Sequence, residues 1–319
     1  MATRKDAEQA RTVDAAQAGM TLSALVREIL PGTSWRLAKE LCQAGRVLVD
    51  GKPALDPARR MAAGERVEVQ SGGPAPRRED SPTGLVVHLD GDVAVVRKPA
   101  GVLTVPFERE EDRGTLIDLA NVAVRRIDSK RNPERRSGLR AVQRLDKEAS
   151  GLVVFARTVP AQRHLQEQLA AHSVLRRYLA LVHGAAEDAE YDTLLVPDRG
   201  DGLRGSWGHF RPARGNPPAG ARNATTRVEV LERLAGATLV ACELETGRQH
   251  QIRIHLAEAG HPLVGETVYI RDWRGPVIPA PRLMLHAAVL GFDHPRTEKP
   301  VRFEEPPPAD FVEVLERLR

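Results

Sequence analysis

At 319 residues the chain has the length for about two domains, and 41% hydrophobic against 28% charged residues excludes a disordered chain. Two distant cysteines, Cys42 and Cys242, exclude a disulfide scaffold and point to a reducing, cytoplasmic setting. A net charge of +4 permits a nucleic-acid partner without requiring one, and 4% aromatic residues exclude broad stacking platforms.

No stretch approaches the roughly 18 uncharged apolar residues of a membrane helix, and no apolar run follows Arg4 and Lys5, so neither a membrane span nor a secretory signal is expected. Residues 1–19 are polar and read as a mobile tail. Over residues 20–70 a first unit is expected. Leu22, Leu25, Val26, Ile29 and Leu30 recur at helical spacing, with Pro31-Gly32 as the stop. Thr33 or Ser34 can cap a second helix carrying Leu37, Leu41 and Cys42 inward. Arg46-Val47-Leu48-Val49-Asp50-Gly51-Lys52 reads as a strand entering an Asp-Gly turn, and Gly64 to Val69 as another strand. Two helices followed by Gly-Arg-Val-x-Val-Asp-Gly-Lys and Gly-Glu-x-Val-x-Val resemble an S4 RNA-binding domain. Eight basic against six acidic residues in 21–70 are a weak excess, in which Arg36, Lys39 and Arg46 are the candidates for RNA phosphate contacts. Residues 71–84 are rich in Gly and Pro and read as a linker.

A second unit is expected over 85–319. Residues 85–89 and 93–98 alternate as strands around Asp90-Gly91-Asp92, and Lys98-Pro99-Ala100-Gly101 follows as a tight turn. A helix suits 115–127. From Ala123 to Arg144 there are eight basic residues and two acids, which makes a basic rim or a disordered basic loop. Then comes Gln143-Arg144-Leu145-Asp146, three residues, Ser150-Gly151, and the buried-strand run Leu152 to Ala156. Asp146 stands in a loop that a rigid strand can hold in place. Locally it reads equally as a turn aspartate paired with Arg144 or Lys147.

Residues 160–171 form an amphipathic helix and Arg177 to Gly184 a strand containing Tyr178. Residues 192–223 are Gly-, Pro- and Arg-rich and read as a long loop or weak hairpin. Two strands follow at 224–231 and 237–244. Thr246-Gly247-Arg248-Gln249-His250-Gln251-Ile252-Arg253 then turns into a helix running to about Ala259. His250 and His255 are five apart and fall on different faces, so no metal is expected.

Arg-Leu-Asp with Ser-Gly-Leu, the Lys-Pro-x-Gly turn, Tyr178-x-Ala-x-Val-x-Gly, Thr-Gly-Arg-x-His-Gln-Ile-Arg and Leu283-x-Leu285-His286-Ala287 together resemble the RluA-type pseudouridine synthases. Gln143 and Ala149 stand where that pattern has His and Thr. The resemblance implies an α+β fold, an antiparallel-rich mixed sheet with flanking helices, behind the small S4 domain. It implies an isomerase that breaks the N1–C1′ bond of a uridine in RNA, ribosomal RNA by analogy with S4 proteins, and joins C5 to C1′ without a cofactor. Asp146 would act at the ribose, Arg253 would orient it and Tyr178 would support the base. Arg144 would fill the space of the extruded nucleotide, Leu285 would touch uracil, and Arg248 would bind RNA. The alternative is a non-catalytic S4-type RNA-binding or ribosome-assembly protein, resting on Gln143 and Ala149. No obligatory protein partner is evident.

Overall fold

A computed structural model of the chain describes residues 10–43, 47–54, 57–69, 84–106, 114–131, 138–209 and 215–319. It divides into two units, Met1–Gly84 and Leu85–Arg319.

The first unit opens with a strand, β1 (Ala10–Thr12), where a tail was expected. It pairs antiparallel with a later strand, and Val13 beyond it is 2% exposed. Three residues are too few to show an alternation, and the long-range bonds of Val13 to Gly64 and Glu65 hold the segment down. Residues 1–9 lie outside the described residues. Thr21 caps α1 (Leu22–Ile29) by accepting from the Ala24 N–H. Its face of Leu22, Leu25, Val26 and Ile29 packs on Ala38 and Cys42 of α2 (Trp35–Gln43). The chain continues as β2 (Val47–Val49), β3 (Lys52–Pro53) and β4 (Arg66–Val69). Asp50 and Gly51 both take positive φ, 50° and 77°, the left-handed turn a two-residue hairpin requires. The sheet order is β1-β4-β2-β3. The expected linker lies, from residue 71 to 83, outside the described residues.

The second unit contains β5 (Val86–Leu89), β6 (Val93–Lys98), α3 (Leu116–Arg131), β7 (Arg140–Ala141), β8 (Ser150–Ala156), α4 (Val159–Ala170), β9 (Leu175–His183), β10 (Ala189–Val196), β11 (Gly205–Ser206), β12 (Arg222–Leu234), β13 (Ala237–Leu244), α5 (Gln251–Glu258), β14 (Leu285–Asp293), β15 (Pro300–Glu304) and α6 (Ala309–Leu318). They form one sheet in the order β11-β10-β12-β13-β9-β14-β8-β6-β5, with β7 added to β8 and β15 to β14. This is the expected antiparallel-rich mixed sheet: among the described residues its one parallel seam joins β8 to β14. The helix expected over 115–127 runs on to Arg131 and buries Leu116, Ala120, Ala123 and Val124 against β6 and β8. The loop expected from 192 is in its first part strand β10, paired along its length with β12 and at its end with β11. Thus the weak hairpin exists, with residues 210–214 outside the described residues.

The parallel seam positions the functional loop, because β8 begins directly behind Asp146 and β14 begins at Leu285. Gly151 makes the seam possible. It takes φ +120°, and a Cβ there would lie 2.3 Å from the Ala287 carbonyl oxygen. Ser150 Oγ and His286 Nδ1 share a 3.0 Å hydrogen bond across the same seam. Gly151→Ala must push two backbones apart in a fully buried sheet. It is expected to cost roughly 3 kcal/mol, read as a lower urea midpoint. An unchanged midpoint would mean that the seam yields freely.

Candidate active site

The loop before β8, residues Leu103 to Val105 beyond the turn that follows β6, strands β9 and β14, and the turn into α5 enclose a cleft of about 700 Å³. Its lining includes Arg144, Asp146, Tyr178, Arg248 and Leu285, all singled out from sequence. Arg253, from the first turn of α5, reaches Asp146 from beneath. Arg144 and Arg248 are exposed on the cleft wall, and Leu285 is 3% exposed at its base. In the first unit Lys39 is exposed on α2 and Arg36 belongs to the same helix, while Arg46 lies outside the described residues.

Arg253 is expected to pair with the loop carboxylate, but its shortest bonds go elsewhere. Its Nε and Nη2 donate to Glu266 Oε2 and Oε1 at 2.8 and 2.7 Å. The remaining nitrogen, Nη1, stands 3.7 Å from Asp146 Oδ2 and 3.5 Å from Glu148 Oε2. The guanidinium is therefore locked by one carboxylate and presented to two others. Glu266 is fully buried and also accepts from the N–H groups of Thr267, Val268 and Tyr269. Burial by itself would raise the Glu266 carboxyl. The Arg253 bonds and charge, with those N–H groups, outweigh it and hold the carboxyl below its ordinary range.

Asp146 keeps a narrow opening to solvent through the cleft. Burial pushes its carboxyl up, the charges of His250 and Arg253 and the His250 N–H pull it back, and Glu148 adds to the rise. Burial pushes the neighbouring His250 imidazole down against the pull of Asp146. Tyr178 is driven up to about 12, first by burial, so its hydroxyl is protonated at neutral pH.

The backbone on both sides of Asp146 is clamped. Thr104 Oγ1 accepts from the Leu145 N–H and donates to the Leu145 carbonyl, both at 3.0 Å. Lys98 is 1% exposed, and its Nζ donates to the carbonyls of Pro99, Lys147 and Ala149 at 3.1, 2.8 and 2.7 Å. On the far wall Gln251 ties the turn together, accepting from Thr246 Oγ1 and the Arg248 N–H and donating to Thr225 and Thr226. Sequence reasoning missed Thr104, Glu148, Glu266 and Tyr269, weighed His250 only as a metal ligand, and took Lys98 only as part of a turn. An isolated acid after the apolar Leu263-Val264 run was the one available signal, for Glu266.

Burial drives Lys98 from 10.5 down to about 7. A folded value below the unfolded one means that the unfolded chain binds more protons between the two. The contribution of this group to stability is therefore least at pH below about 7 and rises towards about 10.5. Lys98→Met cannot titrate, so urea midpoints of wild type and variant should diverge in the wild type's favour as pH climbs through that window. A constant difference would leave Lys98 without this linkage.

The description "RNA pseudouridylate synthase" belongs to the family model that matches residues 92–258, and an S4 domain model matches residues 20–67. The chain is 35% identical over 323 residues to a ribosomal large subunit pseudouridine synthase D of Neisseria meningitidis, covering 97% of this chain and 81% of that protein. It is 38% identical to an uncharacterized RNA pseudouridine synthase of Bacillus subtilis, covering 86% of each. The fold resembles that of human RNA pseudouridylate synthase domain containing 4, with a TM-score of 0.58 at 22% identity over 74% of this chain and 95% of that one. With a matching family model over most of the second unit and relatives this similar along nearly the whole length, the chain belongs to the RNA pseudouridylate synthase family, RluA-type isomerases of RNA that here carry an S4 domain in front.

Proposed function

We propose that this enzyme converts uridine to pseudouridine in large-subunit ribosomal RNA, with Asp146 as its essential carboxylate. The observation that carries the reading is the Asp146 carboxylate in a cleft of about 700 Å³, 3.7 Å from a guanidinium that Glu266 holds still. The reaction breaks N1–C1′ and makes C5–C1′, with the C5 proton leaving and N1 gaining one. It needs an ionised carboxylate at the ribose, attacking C1′ or taking the C2′ proton. Arg253 opposes the burial that raises the Asp146 carboxyl, and aims it. Tyr178 and Leu285 line the base position, Tyr178 with an intact hydroxyl that can hand a proton on. The target must leave its stack, and exposed Arg144 beside Asp146 fills the vacated space.

Arg248 and the exposed Arg140 hold the surrounding phosphates, and the S4 unit, through Arg36, Lys39 and Arg46, holds RNA by backbone and shape. The ribosomal substrate is supported by the names of the relatives and the S4 domain. We take the cytoplasm to be the compartment; among the described residues no helix is long and apolar enough to cross a membrane. Isomerisation expels the C5 hydrogen, so tritium release from RNA carrying [5-³H]uridine tests the reading directly. Release from 23S but not from 16S or transfer RNA is the expected result. No release from any of them would favour a non-catalytic RNA-binding role.

A further inference from the structure

Asp146 and His250 line the same cleft, and the His250 backbone N–H is among the groups that pull the Asp146 carboxyl down. That donor is presented by an uncommon conformation. His250 is left-handed, at φ 58° and ψ 20°, directly before α5, and its side chain makes no capping bond to the helix. A residue with a Cβ enters that region only at an energetic cost, so a contact outside the turn helps to hold it there.

The holder is Tyr269. Its hydroxyl and His250 Nδ1 share a 2.8 Å hydrogen bond, and the two rings meet edge to face with centroids 5.6 Å apart. Tyr269 is only 7% exposed. Its N–H donates to Glu266 Oε1, and the Arg253 guanidinium lies 5.4 Å from its ring centroid. Glu266 therefore anchors both arms that reach Asp146: Arg253 directly, and His250 by way of Tyr269.

We infer that Tyr269 is a positioning residue for the reaction, its hydroxyl holding the His250 side chain so that the left-handed backbone at 250 turns its N–H onto the Asp146 carboxylate. The inference rests on Asp146 being the essential carboxylate. It makes the backbone conformation at 250 the thing that matters, rather than imidazole chemistry. Asparagine tolerates the left-handed region, whereas β-branched valine does not.

The test compares full-length wild type with Tyr269→Phe, His250→Asn, His250→Val and Asp146→Asn by tritium release over a range of RNA concentrations. Tyr269→Phe removes one oxygen and keeps the ring, so it is the variant least prone to misfolding. It should lose about tenfold in kcat with KM unchanged within about twofold. His250→Val should lose more, and His250→Asn should recover most of that loss. Wild-type kcat in Tyr269→Phe would overturn the inference. So would His250→Asn falling as far as His250→Val, because the imidazole itself would then be needed, or a loss appearing wholly in KM. The underlying reading fails separately: release by Asp146→Asn at the wild-type rate would remove Asp146 from the chemistry whatever Tyr269→Phe does.

Discussion

Asp146→Asn is expected to lower tritium release by a factor on the order of 10³ to 10⁴, about 4 to 5.5 kcal/mol in the barrier, with RNA affinity held within about threefold. The substitution keeps the shape and leaves a neutral amide in place of the carboxylate. What it removes is the negative charge that the proposed reaction uses at the ribose. The surroundings show why no neighbour replaces it. Glu148 meets the same Arg253 nitrogen at 3.5 Å, but its side chain is half-exposed, where water screens its charge. Glu266 is enclosed by Arg253 and three backbone N–H groups. Removing an anion beside the polyanionic ligand cannot weaken phosphate contacts, so RNA affinity stays or tightens slightly. Single-turnover release with filter binding on the same preparations separates the two quantities. Turnover within tenfold of wild type would take the essential role away from Asp146.

The parts of this site that were legible in the sequence share one property: each lies in a short run of consecutive residues, and those runs carry the family resemblance that implied their roles. Asp146 precedes a run of β-branched and aromatic residues that could only be a core strand, and the strand is there from Ser150 to Ala156. Arg253 lies at helical spacing after a Thr-Gly turn, and α5 begins at Gln251. The residues that were not legible act across long separations. Glu266 meets Arg253 thirteen positions away, Lys98 meets the Ala149 carbonyl across 51 positions, and Tyr269 meets His250 across 19. No periodicity links such pairs, because they become neighbours only when the sheet closes. β1 escaped for a related reason, since three residues make a strand only when β4 is beside them. β10 is different. Its exposure does alternate along Ala189–Thr193, and the Gly- and Arg-rich run that follows concealed a pattern that was present.

Arg253→Met is expected to lower both stability and turnover, and the two losses are separable. Methionine fills similar space but leaves Glu266, with no side-chain exposure, without its cation. Breaking a buried pair from one side costs about 3 kcal/mol or more; the three N–H donors that remain on Glu266 argue for the lower end. The pH dependence identifies the cause. In wild type the lowered Glu266 carboxyl contributes stability that is present above its unfolded value of 4.5 and lost as pH falls through the folded one. In the variant burial acts without Arg253, the folded value rises above the unfolded one, and the penalty is relieved as the carboxyl takes up a proton. The gap between wild-type and variant urea midpoints should therefore narrow from about pH 8 to about pH 5. Arg253→Met with Glu266→Gln removes both charges and should regain most of the stability at neutral pH. It should not regain turnover, because Asp146 still lacks the guanidinium at 3.7 Å that opposes its burial. A double variant that is both stable and active would confine Arg253 to the fold; one that is stable and inactive assigns its third nitrogen to the carboxylate at the ribose.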